Sequence, residues 1–187
     1  MSFYESLQAQ TQAERNYLLG APIIQQVMTG QVALHSYIAF LTEAYHHVKH
    51  TVPLLMACGA RLPERLEWLR EAIAEYIEEE TGHQEWVLND IAACGADKEA
   101  VRHGTPHMAT ELMVAYVYDR IARHNPASFF GMVNVLEGTS IALATQGLGV
   151  RSAHVSTHAG QTLDTFYVTE PLGRPLPPAR VAQAVGA

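Results

Sequence analysis

The apolar residues of this chain recur at helical spacing nearly from end to end, and proline and glycine punctuate them at intervals that mark helix ends. Runs of alternating Val, Ile and Thr and an Asn-Gly hairpin signal do not stand out, so the pattern specifies an all-α fold. A first helix is expected over about Ser2 to Leu19, and Gly20-Ala21-Pro22 resets the chain before a short second helix ending near Gly30. A long third helix starts near Gln31 and is kinked or ended by Pro53, because proline lacks the amide donor and clashes with the preceding turn. The next helix is expected from about Pro63 to Ala93, with proline in its first turn and Gly95 beyond its end. Pro106 opens another, to about His124, and Asn125-Pro126 separates it from a final apolar helix. After Gly147 the pattern weakens into a Pro-rich ending. Residues 1–150 are therefore expected to form one helical bundle and residues 151–187 a divergent, poorly ordered tail.

With 187 residues, 48% of them hydrophobic, such a bundle can bury a core without staples. The two cysteines, Cys58 and Cys94, form no C-x-x-C or Cys/His motif, and a reduced, cytoplasmic setting is the simplest expectation. A formal charge of -7 without a basic stripe argues against nucleic acid as a partner. The amino-terminal stretch lacks a basic leader and apolar core, and the last apolar run is interrupted by Asn134, Thr139, Ser140 and Gln146, so no membrane association is expected. The expected partner is a small-molecule substrate, and an apolar helical face would support a homodimer.

From Asn125 to Val150 the single formally charged residue is Glu137. Burying an ionised carboxylate costs several kcal/mol or more unless it is hydrogen-bonded, paired or bound to a metal. A second carboxylate falls on an inward stripe: Leu66, Leu69, Ile73, Ile77, Val87 and Ile91 mark the apolar face of the fourth long helix, and Glu80 lies seven residues from both Ile73 and Val87. His83 follows three residues later. This E-x-x-H spacing presents two side chains from one helix face, as bundle-core di-metal sites do. Glu43 on the third helix has His46, His47 and His50 at offsets of three, four and seven. Carboxylates with imidazole suit iron or manganese, where thiolates would have suggested zinc or copper. Each residue also has a plainer role. A buried Glu can be structural, the acidic run at Glu78 and Glu79 reads as a solvated face, and one or more of the three His residues would orient a carboxylate by hydrogen bonding. His103, His107, His124 and His154 fall near expected helix ends, where exposure is the better reading. Tyr45, Tyr76, Tyr116 and Tyr118 read as core or pocket lining, and Cys58 and Cys94 as small buried apolar residues.

The segments YIEEETGHQEW (Tyr76 to Trp86), the Glu43 stretch and NVLEGTS (Asn134 to Ser140) resemble the heme-oxygenase-like diiron oxidases, over roughly residues 15 to 146. The resemblance implies a heme-oxygenase-like helical bundle that binds no heme and uses two ferrous ions (Fe2+) with O2 as co-substrate to oxidise a small organic molecule. It implies Glu43, Glu80, His83 and Glu137 as metal ligands. The family's closing H-x-x-x-D-x-x-H ligand helix is not intact: VSTHAGQTLDTFY offers His158 and Asp164, six residues apart, and Tyr167 stands where the last His belongs. His158 and Asp164 are the remaining candidate ligands, and one iron rather than two is the expectation if they fail. Phe40, Phe129, Phe130, Met132 and Leu136 would line a substrate pocket. The alternative is a metal-free relative of the same fold, similar to thiaminase-type hydrolases or to the cofactor-oxidising protein of pyrroloquinoline quinone synthesis, or a non-catalytic binding relative. In the metal-free enzymes Glu80 and Glu137 would act as acid, base or orienting groups.

Overall fold

The computed structural model describes the backbone of residues 2–28, 32–144, 150–158 and 161–168, and the side chains of residues 2–26 and 32–136. Ten α-helices carry the described chain: α1 (Phe3–Gln10), α2 (Gln12–Leu19), α3 (Pro22–Met28), α4 (Leu34–Val48), α5 (Thr51–Arg61), α6 (Glu67–Glu80), α7 (His83–Ala93), α8 (Lys98–Arg102), α9 (Met108–Arg123) and α10 (Phe129–Ala144). Short 3-10 turns at Glu64–Leu66 and Pro126–Ser128 lead into α6 and α10. The helical expectation holds, and the breaks are more numerous than expected. The first helix is interrupted at Thr11, whose hydroxyl bonds back to the Leu7 carbonyl at 2.8 Å, a local bond that competes with the helix ladder. The chain turns at Lys49–His50, ahead of Pro53, which is the third residue of α5, a position where its missing donor has no intrahelical partner to lose. The short α8 was not expected; Asp97 caps it, accepting from the amides of Glu99 and Ala100.

The helix expected over Pro63 to Ala93 is two helices. Thr81 is extended and Gly82 adopts φ +97°, the left-handed conformation that ends helices at glycine. Glu80 is thus the last residue of α6 and His83 the first of α7.

Chain contacts define two compact units, one of Met1–Ser36 with Gly131–Ala187 and one of Tyr37–Phe130. In the second unit α5 packs on α6 and α9. Leu54, Leu55, Cys58, Ile73, Tyr76, Val114, Val117, Ile121 and Phe129 are buried there. Gly59 permits the close approach of α5 and α6, since a Cβ at that position would lie 3.3 Å from Ile73 Cγ2. The orphan carbonyls at the α5 carboxyl end are met by a cation: Arg70 donates to the carbonyls of Gly59 at 2.6 Å and Leu62 at 3.2 Å. Leu41, Tyr45, Leu88 and Ile91 form a further apolar cluster joining α4 to α7, with Tyr37, Val87 and Val101 packed against it.

In the first unit, Ser2 and Glu5 form a capping box at α1. Asn134 on α10 accepts from Gln8 and donates to Thr11, each at 3.0 Å, so one amide holds the last turn of α1 and the break that follows it. Beyond α10 the chain is not helical where described: β1 (Val150–His158) pairs antiparallel with β2 (Gln161–Val168). Val155, Thr157, Thr162, Thr165, Phe166, Tyr167 and Val168 supply the β-branched and aromatic character that favours strands, with Gly160 between the two runs. This hairpin is an addition to the expected helical fold.

Candidate metal centre

The side chains of Glu80 and His83 meet across the break between α6 and α7. Their carboxylate Oε2 and imidazole Nδ1 are 2.9 Å apart, and both residues are buried, at 6% and 5% exposure. The expected pair therefore forms, by a different route. On one continuous helix, residues three apart face one another by periodicity, whereas here the carboxyl end of one helix and the amino end of the next are brought together by the left-handed turn at Gly82. Over the imidazole lies Trp86, its ring centroid 4.3 Å from that of His83, with the planes inclined at 41°. The acidic residue Glu85 beside it is taken up by Arg102, which donates to both carboxylate oxygens at 2.6 and 2.7 Å and holds the Glu85 carboxyl below the usual carboxylate range. Glu78 is exposed, as a solvated face requires.

Glu43 is engaged elsewhere. Its carboxylate accepts from the backbone N–H of His107, at 3.1 and 3.2 Å, and from the Thr110 hydroxyl at 2.5 Å. His107 is the N-cap of α9, so Glu43 places a negative charge at the positive end of that helix. This structural role was not read from the sequence, because the two segments are 64 residues apart and no local pattern joins them.

The three His residues that follow Glu43 each have a separate partner. His46 is 2% exposed, and its Nδ1 lies 3.3 Å from Lys49 Nζ. The lysine ammonium can only donate, so Nδ1 is the acceptor and the ring proton sits on Nε2. Burial, then the neighbouring Lys49 charge, pushes the His46 pKa down. His47 Nδ1 is 3.3 Å from the Glu43 carbonyl oxygen and must donate to it. Burial is also the main cause that lowers the pKa of His47 and of His50. His50 Nδ1 meets the Tyr118 hydroxyl at 3.2 Å, tying the turn between α4 and α5 to α9.

Glu137 lies on α10, with its side chain outside the described residues. His158 pairs with Gln161 and Asp164 with Val155 in the hairpin register, so they sit on separate strands, three register steps apart. The helix on which a closing ligand motif would have been carried is absent at these two positions, and their side chains too lie outside the described residues. Among the described residues, no three His, Cys, Asp or Glu side chains converge to hold a metal ion. His103, His107 and His124 are exposed as expected, and His154 lies outside the described side chains. Tyr45 and Tyr76 are buried, but Tyr116 is 63% exposed and Phe40 44%, so neither lines a closed pocket.

Residues 38–160 match the family described as iron-containing redox enzyme. The chain belongs to that family. Its membership agrees with a solved structure from Shewanella denitrificans OS217, a domain of unknown function with a heme oxygenase-like fold. That structure is 27% identical, with a TM-score of 0.66 over 78% of this chain and 63% of its own. A curated relative, the bifunctional uridylyltransferase/uridylyl-removing enzyme of Streptomyces coelicolor, is 36% identical over 91 residues, which are 47% of this chain and 11% of that enzyme. The chain thus spans a small part of that relative and less than two thirds of the solved structure. No helix among the described residues of this iron-containing redox family member is long and apolar enough to cross a membrane.

The Glu80–His83 pair fits iron as far as two donors can. A carboxylate oxygen and an imidazole nitrogen are donor types that ferrous iron accepts, and both are withdrawn from water. The cysteines offer no competing chemistry: burial pushes the Cys58 thiol up to about 11, away from the thiolate a nucleophile needs, and its Sγ is bonded to the Pro126 carbonyl at 3.3 Å. Burial and the Asp90 charge raise Cys94 as well.

Proposed function

We propose that this chain is a non-heme iron oxidase that uses O2 on a small organic molecule, with Glu80 and His83 at the centre of its metal site. The observation that carries the reading is the buried Glu80–His83 contact within the matched family region. Two ionisable groups are costly to bury together, and a metal-binding role explains why the fold places them there. A cation bound there would take the place of the Nδ1–Oε2 hydrogen bond, so the two donors that now satisfy each other would both turn to the metal. Glu137 on α10 is the proposed third ligand, and Glu43 the fourth, on condition that it exchanges its bonds to His107 and Thr110. His158 and Asp164 remain proposed ligands on the family resemblance alone. Iron, when bound, supplies one-electron chemistry with oxygen that side chains lack. The protein's own residues orient the donors and keep water from them. A thiaminase-type reading is disfavoured by the raised pKa values of both cysteines.

The test is anaerobic loading of the full chain with ferrous iron, followed by elemental analysis of the wild type and of Glu80→Ala, His83→Ala and Glu137→Ala. One or two irons per chain, lost in the variants, supports the site. Binding unchanged in all three removes these residues from it. Oxygen uptake by the loaded wild type in the presence of candidate substrates, absent without iron, then separates an oxidase from a passive binder.

A further inference from the structure

His83 opens α7, so no earlier turn of its own helix packs beside it. Helical side chains lean toward the amino end and cover the turn before their own Cα. Trp86, one turn later on the same face, therefore leans back over His83, and the rings are in contact at 4.3 Å. Exposure is divided unequally between the two. Trp86 is 47% exposed while the His83 side chain is 6% exposed, so part of the indole faces solvent and the imidazole beneath it does not. One edge of the imidazole is fixed by Glu80 through Nδ1 and one face by the indole. A planar ring held at an edge and a face has little freedom left to rotate.

We propose that Trp86 is a positioning residue for the metal centre: it roofs His83, fixes the plane of the imidazole and shuts water from the Glu80–His83 contact. The inference rests on the ligand role proposed for His83, but its structural half does not. An indole in this place makes the donor ready before the cation arrives, so ordering cost is met during folding rather than during binding.

Two measurements on the full-length protein test this. In the metal-free protein, carbethoxylation of His83 by diethyl pyrocarbonate, followed by peptide mass spectrometry, reads access to the ring. In the anaerobic protein, competition with a ferrous chelator reads affinity. Trp86→Ala is expected to speed His83 modification several-fold and to weaken ferrous binding by about 10-fold, the low end for residues that orient a metal ligand. Trp86→Phe, which keeps an aromatic face, is expected to stay within about twofold of the wild type in both. Far-UV circular dichroism unchanged in both variants shows that the fold survives. Modification and affinity both unchanged in Trp86→Ala would overturn the proposal, as would equal damage from Phe and Ala. His83→Ala separates the two claims: if it binds ferrous iron like the wild type, the ligand role of His83 fails, while the modification rates still decide whether Trp86 covers the ring.

Discussion

Removing one member of the Glu80–His83 pair should destabilise the metal-free protein far more than removing both. At 6% and 5% exposure the two groups have lost nearly all contact with water, and each is bonded to the other at 2.9 Å. His83→Ala takes the Nδ1 donor from a buried carboxylate, a change that costs about 3 kcal/mol in comparable buried pairs. Glu80→Ala takes the acceptor from a buried N–H, at about 1–3 kcal/mol. Replacing both, as Glu80→Met with His83→Leu, removes the desolvation cost along with the bond, and should leave stability within about 1 kcal/mol of the wild type. The pair would then show a coupling of about 2 kcal/mol or more in a double-mutant cycle of Glu80→Met and His83→Leu alone and together. For a chain of this size, about 3 kcal/mol corresponds to a fall in Tm of about 6–12 °C. Urea denaturation of metal-free protein measures the differences directly. Ferrous iron at about 100 times its Kd should add about 2.7 kcal/mol to the wild type and nothing to the double variant. Single variants as stable as the wild type would show that neither group is desolvated, and a double variant that loses the sum of the singles would show that they do not interact.

Three further outcomes follow from the same geometry. Gly82→Ala meets no atom within 4 Å of the added Cβ but must hold φ +97°, and should lose about 1 kcal/mol by chemical denaturation; an unchanged midpoint would mean that the turn can relax. Glu43→Ala removes the acceptor at the amino end of α9 and should cost about 1–2 kcal/mol, with faster amide hydrogen exchange in the first turn of that helix as the local signature. His46 and His50 have folded pKa values below the usual histidine value, so the unfolded chain binds more protons in that range; stability should be full above about pH 6.5 and fall as the pH is lowered below it. Thermal midpoints that do not decline between neutral and mildly acid pH would contradict this.

Comparing residues with their observed places shows why some of the molecule was legible. Ile73 and Ile91 are buried as helical periodicity assigned them, and that information is local; Leu88 is buried where Val87 was expected, because the break at Gly82 starts a new helix with its own phase. The Glu80–His83 neighbourhood was also legible from spacing, though the helix carrying it was not continuous, since Thr-Gly at 81 and 82 is compatible both with a helix interior at modest cost and with a left-handed stop. Phe40 and Tyr116 were misread because a large aromatic side chain predicts burial only on average. The strands after α10 were missed because their Val and Thr positions do not alternate cleanly with polar ones, and without alternation short segments are ambiguous.

The sequence by itself determined that the chain is helical, roughly where proline and glycine interrupt it, which apolar residues make the core, and that it resembles an iron-dependent redox family. These depend on interactions within a few turns, which the order of residues encodes directly. Only the tertiary structure decided that Glu43 serves the amino end of α9, that His50 bonds to Tyr118 of that helix, and that Trp86 covers His83 at the start of a new helix. Such assignments depend on which helix end or ring the packed chain brings within reach of a polar group, and burial then forces that group to bond with what is there.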